Sequence, residues 1–374
     1  MSRAGNGSTP SVEGQGGGVR RLPAPERTLT VAVVGAGYWG SKHVRVLQGL
    51  SGIEVVIVEA DEDRRRIVAG SFPGFHAVPE IGTAVDDIDA AVVATPPRTH
   101  ADVALDLLRH GKHVLVEKPM ATSVEAASAM IEAAADSGAQ LMAGHTFEYN
   151  PAVATLRDII QSGELGRLHY IDSSRLNLGL YQSDVNVLWD LAPHDISIVN
   201  HLLDAEPVEV SVWAAAHAHR ELEDVAYILL QYDAPEVVAH IHVSWLYPRK
   251  VRQFAVVGDQ RMAVYNDTEA EERIRIYDKS VASAVDDEAP LTGPTVSYRY
   301  GGISSPYVDP AEPLALEDQH FVDCIRDGCR PRSDGWSGLA VVRVLEAAEL
   351  ARRTGRPVRL ADVEGTLTPY PATD

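Results

Sequence analysis

Short apolar runs rich in valine and isoleucine alternate with longer segments of helical periodicity through residues 28–145. TLTVAVV (28–34), EVVIV (54–58), AAVVAT (90–95), HVLVE (113–117) and QLMAGH (140–145) carry little polar alternation, the mark of strands buried on both faces. SKHVRVLQGL (41–50), ADVALDLLRHG (101–111) and SVEAASAMIEAAADSG (123–138) space their apolar residues as amphipathic helices do, and Gly138 supplies a C-terminal stop. Buried strands alternating with helices predict an α/β domain with a doubly wound parallel sheet. Past residue 146 the pattern changes. PAVATLRDIIQSG (151–163) and residues 192–203 read as helices. From Pro207 strand follows strand with no helix between, as in VEVSVWAAAHA, VAYILLQYD, VVAHIHVSWLY, VRQFAVVGD, RMAVYN and RIRIYD. That predicts an α+β domain with a mostly antiparallel open sheet. Residues 279–312 read as a long polar loop, and two helices at 316–328 and 338–355 complete the chain.

Length and composition add boundaries. At 374 residues two domains are expected, over 28–145 and 146–374. The first 27 residues, dominated by Gly, Ser and Pro, read as a disordered tail with no apolar signal-peptide core. A formal charge of −20 argues against a nucleic-acid partner, because phosphate binding requires clustered Lys and Arg. No apolar run reaches bilayer length, and Cys324 and Cys329 lack metal-ligand spacing, so the expectation is a cytoplasmic protein with two free thiols and no metal.

The first candidate chemistry is GAGYWG (35–40), which follows a strand and opens a helix. In this context Gly35 permits a tight turn, Gly37 lets backbone approach a pyrophosphate and Gly40 allows close helix–strand packing, with Tyr38 and Trp39 between them. The helix N-terminus then offers free N–H groups to the phosphates. Glu59, ending the second strand, stands where a carboxylate accepts from an adenosine ribose, which favours NAD over NADP. Arg64, Arg65 and Arg66 follow closely; they read as a solvated helix face or as partners for a 2′-phosphate.

The second is EKPMA (117–121) at the end of a strand, where ligands of doubly wound sheets sit. Lys118 would point toward the nicotinamide, where desolvation favours proton transfer near neutrality; the plainer alternative is a surface lysine. The third is WDLAPHDI (189–196), with Asp190 and His194 four residues apart. Together Lys118, Asp190 and His194 suit removal of a hydroxyl proton during hydride transfer. The plainer reading is an Asp at a helix cap and a His satisfied in a core.

GAGYWG, EKPMA and the D-x-x-x-H element, in that order, resemble the glucose–fructose oxidoreductase / inositol dehydrogenase (Gfo/Idh/MocA) family across 28–360. The resemblance implies a Rossmann domain, a second domain whose open sheet makes homo-oligomer contacts (dimer or tetramer), and reversible NAD(P)-dependent oxidation of a sugar or inositol. It assigns Lys118 as the catalytic lysine, Asp190 and His194 as its substrate-side pair, and Thr95, Pro96, Pro97 and His100, with Glu117, as the nicotinamide side. Many members carry Gly-Gly before the Asp, whereas this chain has VLWDLAPHDI. That phrase, with GHTFEYNP (144–151), RLNLG (175–179) and SWLYPRKVR (244–252), looks like the branch that oxidises nucleotide-linked hexoses at C3. There Tyr149 and Asn177 would line the sugar pocket. Arg249, Lys250 and Arg252 would meet a diphosphate or a neighbouring subunit, or form a charged strand edge. Inositol or free-sugar oxidation, ketosugar reduction and non-catalytic NAD sensing are the alternatives. His240 and His242 share a strand face without further metal ligands, and Trp189, Trp213 and Trp245 read as packing.

Overall fold

The computed structural model describes residues 27–363 apart from 73, 180, 182–184, 219–221 and 284–295; the expectation for the tail therefore lies outside the described residues except at Arg27, which pairs with Asp89. The first half runs β1 (Leu29–Val34), α1 (Tyr38–Leu47), β2 (Ile53–Val58), α2 (Glu62–Ser71), β3 (His76–Val78), β4 (Ala90–Val93), α3 (His100–Arg109), β5 (His113–Glu117), α4 (Val124–Ser137) and β6 (Leu141–Gly144). The six strands pair in parallel in the order β3-β2-β1-β4-β5-β6. Every β4 residue is buried, as expected for a strand covered on both faces. Ser123 caps α4 through the Ala126 amide, and Gly138 ends it at φ 70°.

The second half runs α5 (Pro151–Gln161), β7 (Leu168–Leu178), α6 (Val187–Leu203), β8 (Glu209–Ala215), β9 (Val225–Asp233), β10 (Glu236–Ser244), β11 (Leu246–Gly258), β12 (Met262–Asn266), β13 (Ile274–Ser283), β14 (Val296–Ser304), α7 (Pro313–Asp327), α8 (Gly335–Thr354) and β15 (Val358–Arg359). Its nine described strands lie in the order β14-β13-β12-β11-β7-β10-β9-β8-β15. Only β7 and β10 run parallel, so the sheet is mixed and mostly antiparallel. Helices α5, α6 and α8 cover one face. The other face presents Trp213, Tyr227 and His242 in one cross-strand row and Leu229 and His240 in the next. Tyr227 stacks on both histidines, which accounts for that pair without a metal.

Three elements differ from the patterning. Helix α1 starts at Tyr38, three residues earlier than its apolar spacing suggests, because Gly37 serves as its N-cap. Central strand β7 carries no readable alternation: Ser173 and Arg175 point inward to the Asp195 carboxylate on α6, so polar residues occupy core positions. The stretch expected as a loop over 279–312 contains much of the β13–β14 hairpin. Edge strand β14 is paired on one side only and includes two glycines, so little apolar pattern is demanded of it. Helix α7 turns back onto α1, placing Phe321 and Val322 in one apolar cluster with Leu29, Val31 and Val33.

Candidate active site

The turn after β1 is built around Gly35 at φ +90°; a Cβ there would come 2.8 Å from the Ala94 carbonyl oxygen. At Gly40 a Cβ would fall 1.8 Å from the Gly35 oxygen, so this glycine lets α1 pack onto the turn. Gly37 differs: nothing lies within 4 Å of a Cβ placed on it, and it faces a cleft of about 1060 Å³. That open space at a helix N-terminus fits a pyrophosphate. Glu59 is buried on the same cleft, with one carboxylate oxygen accepting from the Ala36 amide (2.8 Å) and the other from the Asp61 amide (3.0 Å). Its orientation is thereby fixed for a ribose diol. Arg64 lines the cleft beside it, Arg65 donates to the Glu59 and Ala60 carbonyls, and Arg66 pairs with Glu62 and Asp63 at the surface. Only Arg64 of the three faces the dinucleotide space.

The cleft continues past Trp39, Thr95 and Pro96 to a smaller crevice of about 140 Å³ beside Lys118, where Pro97, His100 and Glu117 join the lining. His100 is buried, with its ring nitrogens 2.9 Å from the Pro119 carbonyl oxygen and 2.7 Å from that of Thr95. It clamps the two loops that flank the crevice. Tyr38 is exposed and stands edge-on to Trp39, with Lys42 over its ring.

Lys118 reaches across to α6, donating to the Asp190 carbonyl (2.7 Å) and to its carboxylate Oδ1 (3.2 Å). Asp190 is not a helix cap. Asn186 takes that role by accepting from the Trp189 amide, and Pro193 lies inside the helix rather than near its start. The other Asp190 oxygen accepts from the indole N–H of Trp245 at 3.1 Å. Trp245 is therefore more than packing: it lines the cleft and fixes the carboxylate. Sequence offered one hint, Gly179 of RLNLG, where a Cβ would strike the indole at 2.7 Å. Asn177, near the end of β7, lines the same cleft.

His194 and Asp190 address different neighbours. The His194 ring stands edge-on to Phe147 (5.1 Å between centroids), and the Arg175 guanidinium lies over the Phe147 ring. Burial lowers the His194 pKa well below its ordinary value, and the charges of Lys118, Arg175, Arg252 and His145 push it the same way. Burial and those charges favour the neutral imidazole, and His194 is not among the residues that line the cleft or the crevice beside Lys118. Tyr149 does not face the cleft; it is buried, its hydroxyl 3.0 Å from the Ser333 hydroxyl and its ring under Arg332. The short 3₁₀ turn Thr146–Tyr149 sends Phe147 toward His194 and Tyr149 into the core. Arg252 pairs with Asp267 (3.2 Å), while Arg249 and Lys250 are exposed on β11 away from the cleft lining.

The family model for the NAD-binding Rossmann fold of oxidoreductases matches residues 29–145, and the model for the GFO/IDH/MocA C-terminal domain matches residues 153–264, together more than half of the chain. The chain belongs to the Gfo/Idh/MocA family. It is an NAD-binding oxidoreductase of that family, and the glycine turn and Glu59 are the residues that fit the dinucleotide.

This Gfo/Idh/MocA protein is 25% identical over 347 residues to an inositol 2-dehydrogenase of Rhizobium meliloti (strain 1021), covering 89% of this chain and all of that one. It is 29% identical over 360 residues to inositol 2-dehydrogenase 1 of Mycolicibacterium vanbaalenii, covering 91% and 98%. Among solved structures, UDP-N-acetylglucosamine 3-dehydrogenase from Acidithiobacillus ferrooxidans superposes with a TM-score of 0.75 at 25% identity, covering 87% of this chain and 98% of that one. Among the described residues no helix is long and apolar enough to cross a membrane.

Proposed function

We propose that this protein oxidises a secondary hydroxyl of a ring-shaped polyol or sugar, with NAD as hydride acceptor. The observation that carries the reading is the Lys118–Asp190 pair, which bridges the end of β5 and α6 in the cleft that begins at the glycine turn. A bound nicotinamide supplies the hydride acceptor. Lys118 takes the hydroxyl proton at Nζ, and Asp190, held by Trp245, stabilises the ammonium so formed. Asn177, which lines the cleft, positions the sugar from the second domain, and His194 packs behind it against Phe147. Positioned proton transfer of this kind contributes about 10²–10⁴-fold in rate.

The finer reading is a nucleotide-linked hexose oxidised at C3 to a 3-keto sugar, suited to a later transamination. It rests on VLWDLAPHDI and its companion segments, and likeness to a UDP-sugar 3-dehydrogenase supports it. A second reading, oxidation of inositol, is favoured by full-length sequence likeness to two inositol 2-dehydrogenases. NADH absorbance with UDP- and dTDP-hexoses, uronates and inositols separates them; turnover of inositol without response to nucleotide sugars overturns the first. Lys118→Ala that binds NAD yet leaves turnover intact overturns both, and a chain that binds NAD but reduces it with no substrate favours a sensor.

We further propose a homo-oligomer formed through the uncovered face of the second sheet. Trp213, Tyr227, Leu229, Val238 and Tyr170 stand exposed there on adjacent strands, a cluster of large apolar side chains that a second copy of the sheet would cover.

A further inference from the structure

Behind the crevice Glu117 is tied into a buried polar cluster, whose other members, His43 and Asp318, line neither the cleft nor the crevice. His43, on α1, is fully buried. Its Nε2 lies 3.2 Å from Glu117 Oε1 and its Nδ1 lies 2.8 Å from Asp318 Oδ1 on α7. The second Glu117 oxygen accepts from the Lys118 amide at 3.0 Å. Glu117 packs against Gly144, where a Cβ would come 3.0 Å from the Glu117 Cα, so the adjacent strand leaves the carboxylate room. Glu117 also lines the crevice, with Trp39, Thr95, His100, Lys118 and Asp190.

We propose that His43 and Asp318 hold Glu117 as an anion under the nicotinamide crevice, so that the protein binds the oxidised, cationic ring more tightly than the reduced, neutral one. A carboxylate facing a low-dielectric crevice attracts a pyridinium and gains nothing from a dihydropyridine. The relay is electrostatic: no bond forms or breaks in it, and His43 acts as a positioning residue through Glu117.

The surrounding charges agree. The groups that face Glu117 are His43 on α1, Lys118 after β5, His100 on α3, and Glu317 and Asp318 on α7. Burial would push the Glu117 carboxyl up, but the hydrogen bond and charge of His43, followed by Lys118, hold it below the usual range. Burial would likewise lower His43, yet Asp318 and then Glu117 raise it well above its ordinary value. Glu317 goes the other way: burial and the nearby Glu117 charge raise it well above normal, so it stays protonated while its Oε2 accepts from the Thr146 hydroxyl. Asp318 is pushed up by burial and held down by His43, so the imidazole is shared between two carboxylates, of which Glu117 is the one that lines the crevice, beside Lys118.

The proposal rests on the seating of the nicotinamide beside Lys118 and is tested by binding rather than turnover. Affinities of the full-length protein for NAD⁺, NADH and ADP-ribose, which lacks the nicotinamide, are measured by titration calorimetry from pH 6 to 9. Glu117→Gln should weaken NAD⁺ by about tenfold or more, the scale of one charge pair at an effective dielectric near 20, with NADH and ADP-ribose unchanged. His43→Gln keeps a donor toward Glu117 without the charge. Its NAD⁺ preference over NADH should be smaller than that of wild type and should shrink further as the pH falls, because Glu117 without the His43 charge is protonated more readily. Equal weakening of NAD⁺ and NADH in either variant, or an unchanged NAD⁺/NADH ratio at every pH, overturns the proposal. If NAD⁺ binds wild type no better than ADP-ribose and neither variant changes it, the seating of the nicotinamide falls, and the proposal with it.

Discussion

Replacing Asp190 by asparagine asks the most of the reasoning about the cleft, because the carboxylate sits between two donors. Lys118 Nζ meets Oδ1 at 3.2 Å and the Trp245 indole N–H meets Oδ2 at 3.1 Å. An amide has one oxygen, so whichever way the substituted side chain turns, its NH₂ faces a donor. If the oxygen stays with Trp245, the charge-assisted bond to Lys118 is lost, worth about 1.5–3 kcal/mol. The Lys118 and Asp190 side chains are 11% and 18% exposed, too sheltered for water to replace that bond fully. At about 1.36 kcal/mol per decade, kcat/KM should fall roughly 10- to 150-fold. NAD⁺ affinity should hold, because the bonds to Glu59 and the glycine turn are untouched. The assay is NADH absorbance with whichever substrate class wild type turns over, alongside calorimetric NAD⁺ binding. A variant with kcat/KM within about threefold of wild type, or one whose loss lies entirely in NAD⁺ affinity, refutes the reasoning.

Gly37→Ala and Gly40→Ala should part ways: the first adds a methyl to open space at φ −72° and should keep the melting temperature within a few degrees while weakening NAD⁺ about tenfold or more. The second drives a Cβ into the Gly35 carbonyl and should lose the fold first, so similar melting temperatures for the two would refute that reading of the turn. His194, its pKa depressed by burial and then by the Lys118, Arg175 and Arg252 charges, stays neutral in the folded state while the unfolded chain takes up a proton below about pH 6.5. Its contribution is present above that value and lost as pH falls, so the melting temperature of His194→Gln should drop less than that of wild type between pH 7.5 and 5.5; equal drops contradict the assignment. Trp213→Glu combined with Leu229→Glu should convert the oligomer to monomer by sedimentation velocity, and a wild-type protein that sediments as a monomer ends that proposal.

What could be read from the sequence was local. GAGYWG acts within one strand–turn–helix unit, and Glu59 and EKPMA each stand at the carboxyl end of a strand of the same parallel sheet, so the pattern that recommends them is also the geometry that makes them work. The Lys118–Asp190 meeting spans 72 residues and joins the end of β5 to the first turn of α6; the doubly wound sheet constrains only the first of these, and Asp190 was picked out by its motif. Reading failed where partners are brought together by packing alone. Trp245 follows a strand that ends in an apolar run, and only its closure on Asp190, with Gly179 making room, distinguishes it from a core tryptophan. Tyr149 failed in the opposite direction: a 3₁₀ turn sends Tyr149 into the core and Phe147 toward His194, and such a turn leaves no period in sequence. Asp195 and Arg175 were invisible because a buried ion pair interrupts the apolar alternation by which strands are recognised. His43 is the extreme case, lying 275 residues from Asp318 on a helix whose exposed face the charge pattern emphasises. The residues that orient the chemistry are thus the hardest to see, since their only signature is a polar atom placed where an apolar one was due. That same displacement is what makes them informative once the fold is known, because a buried His or Arg held by two carboxylate contacts persists only if those contacts offset its desolvation.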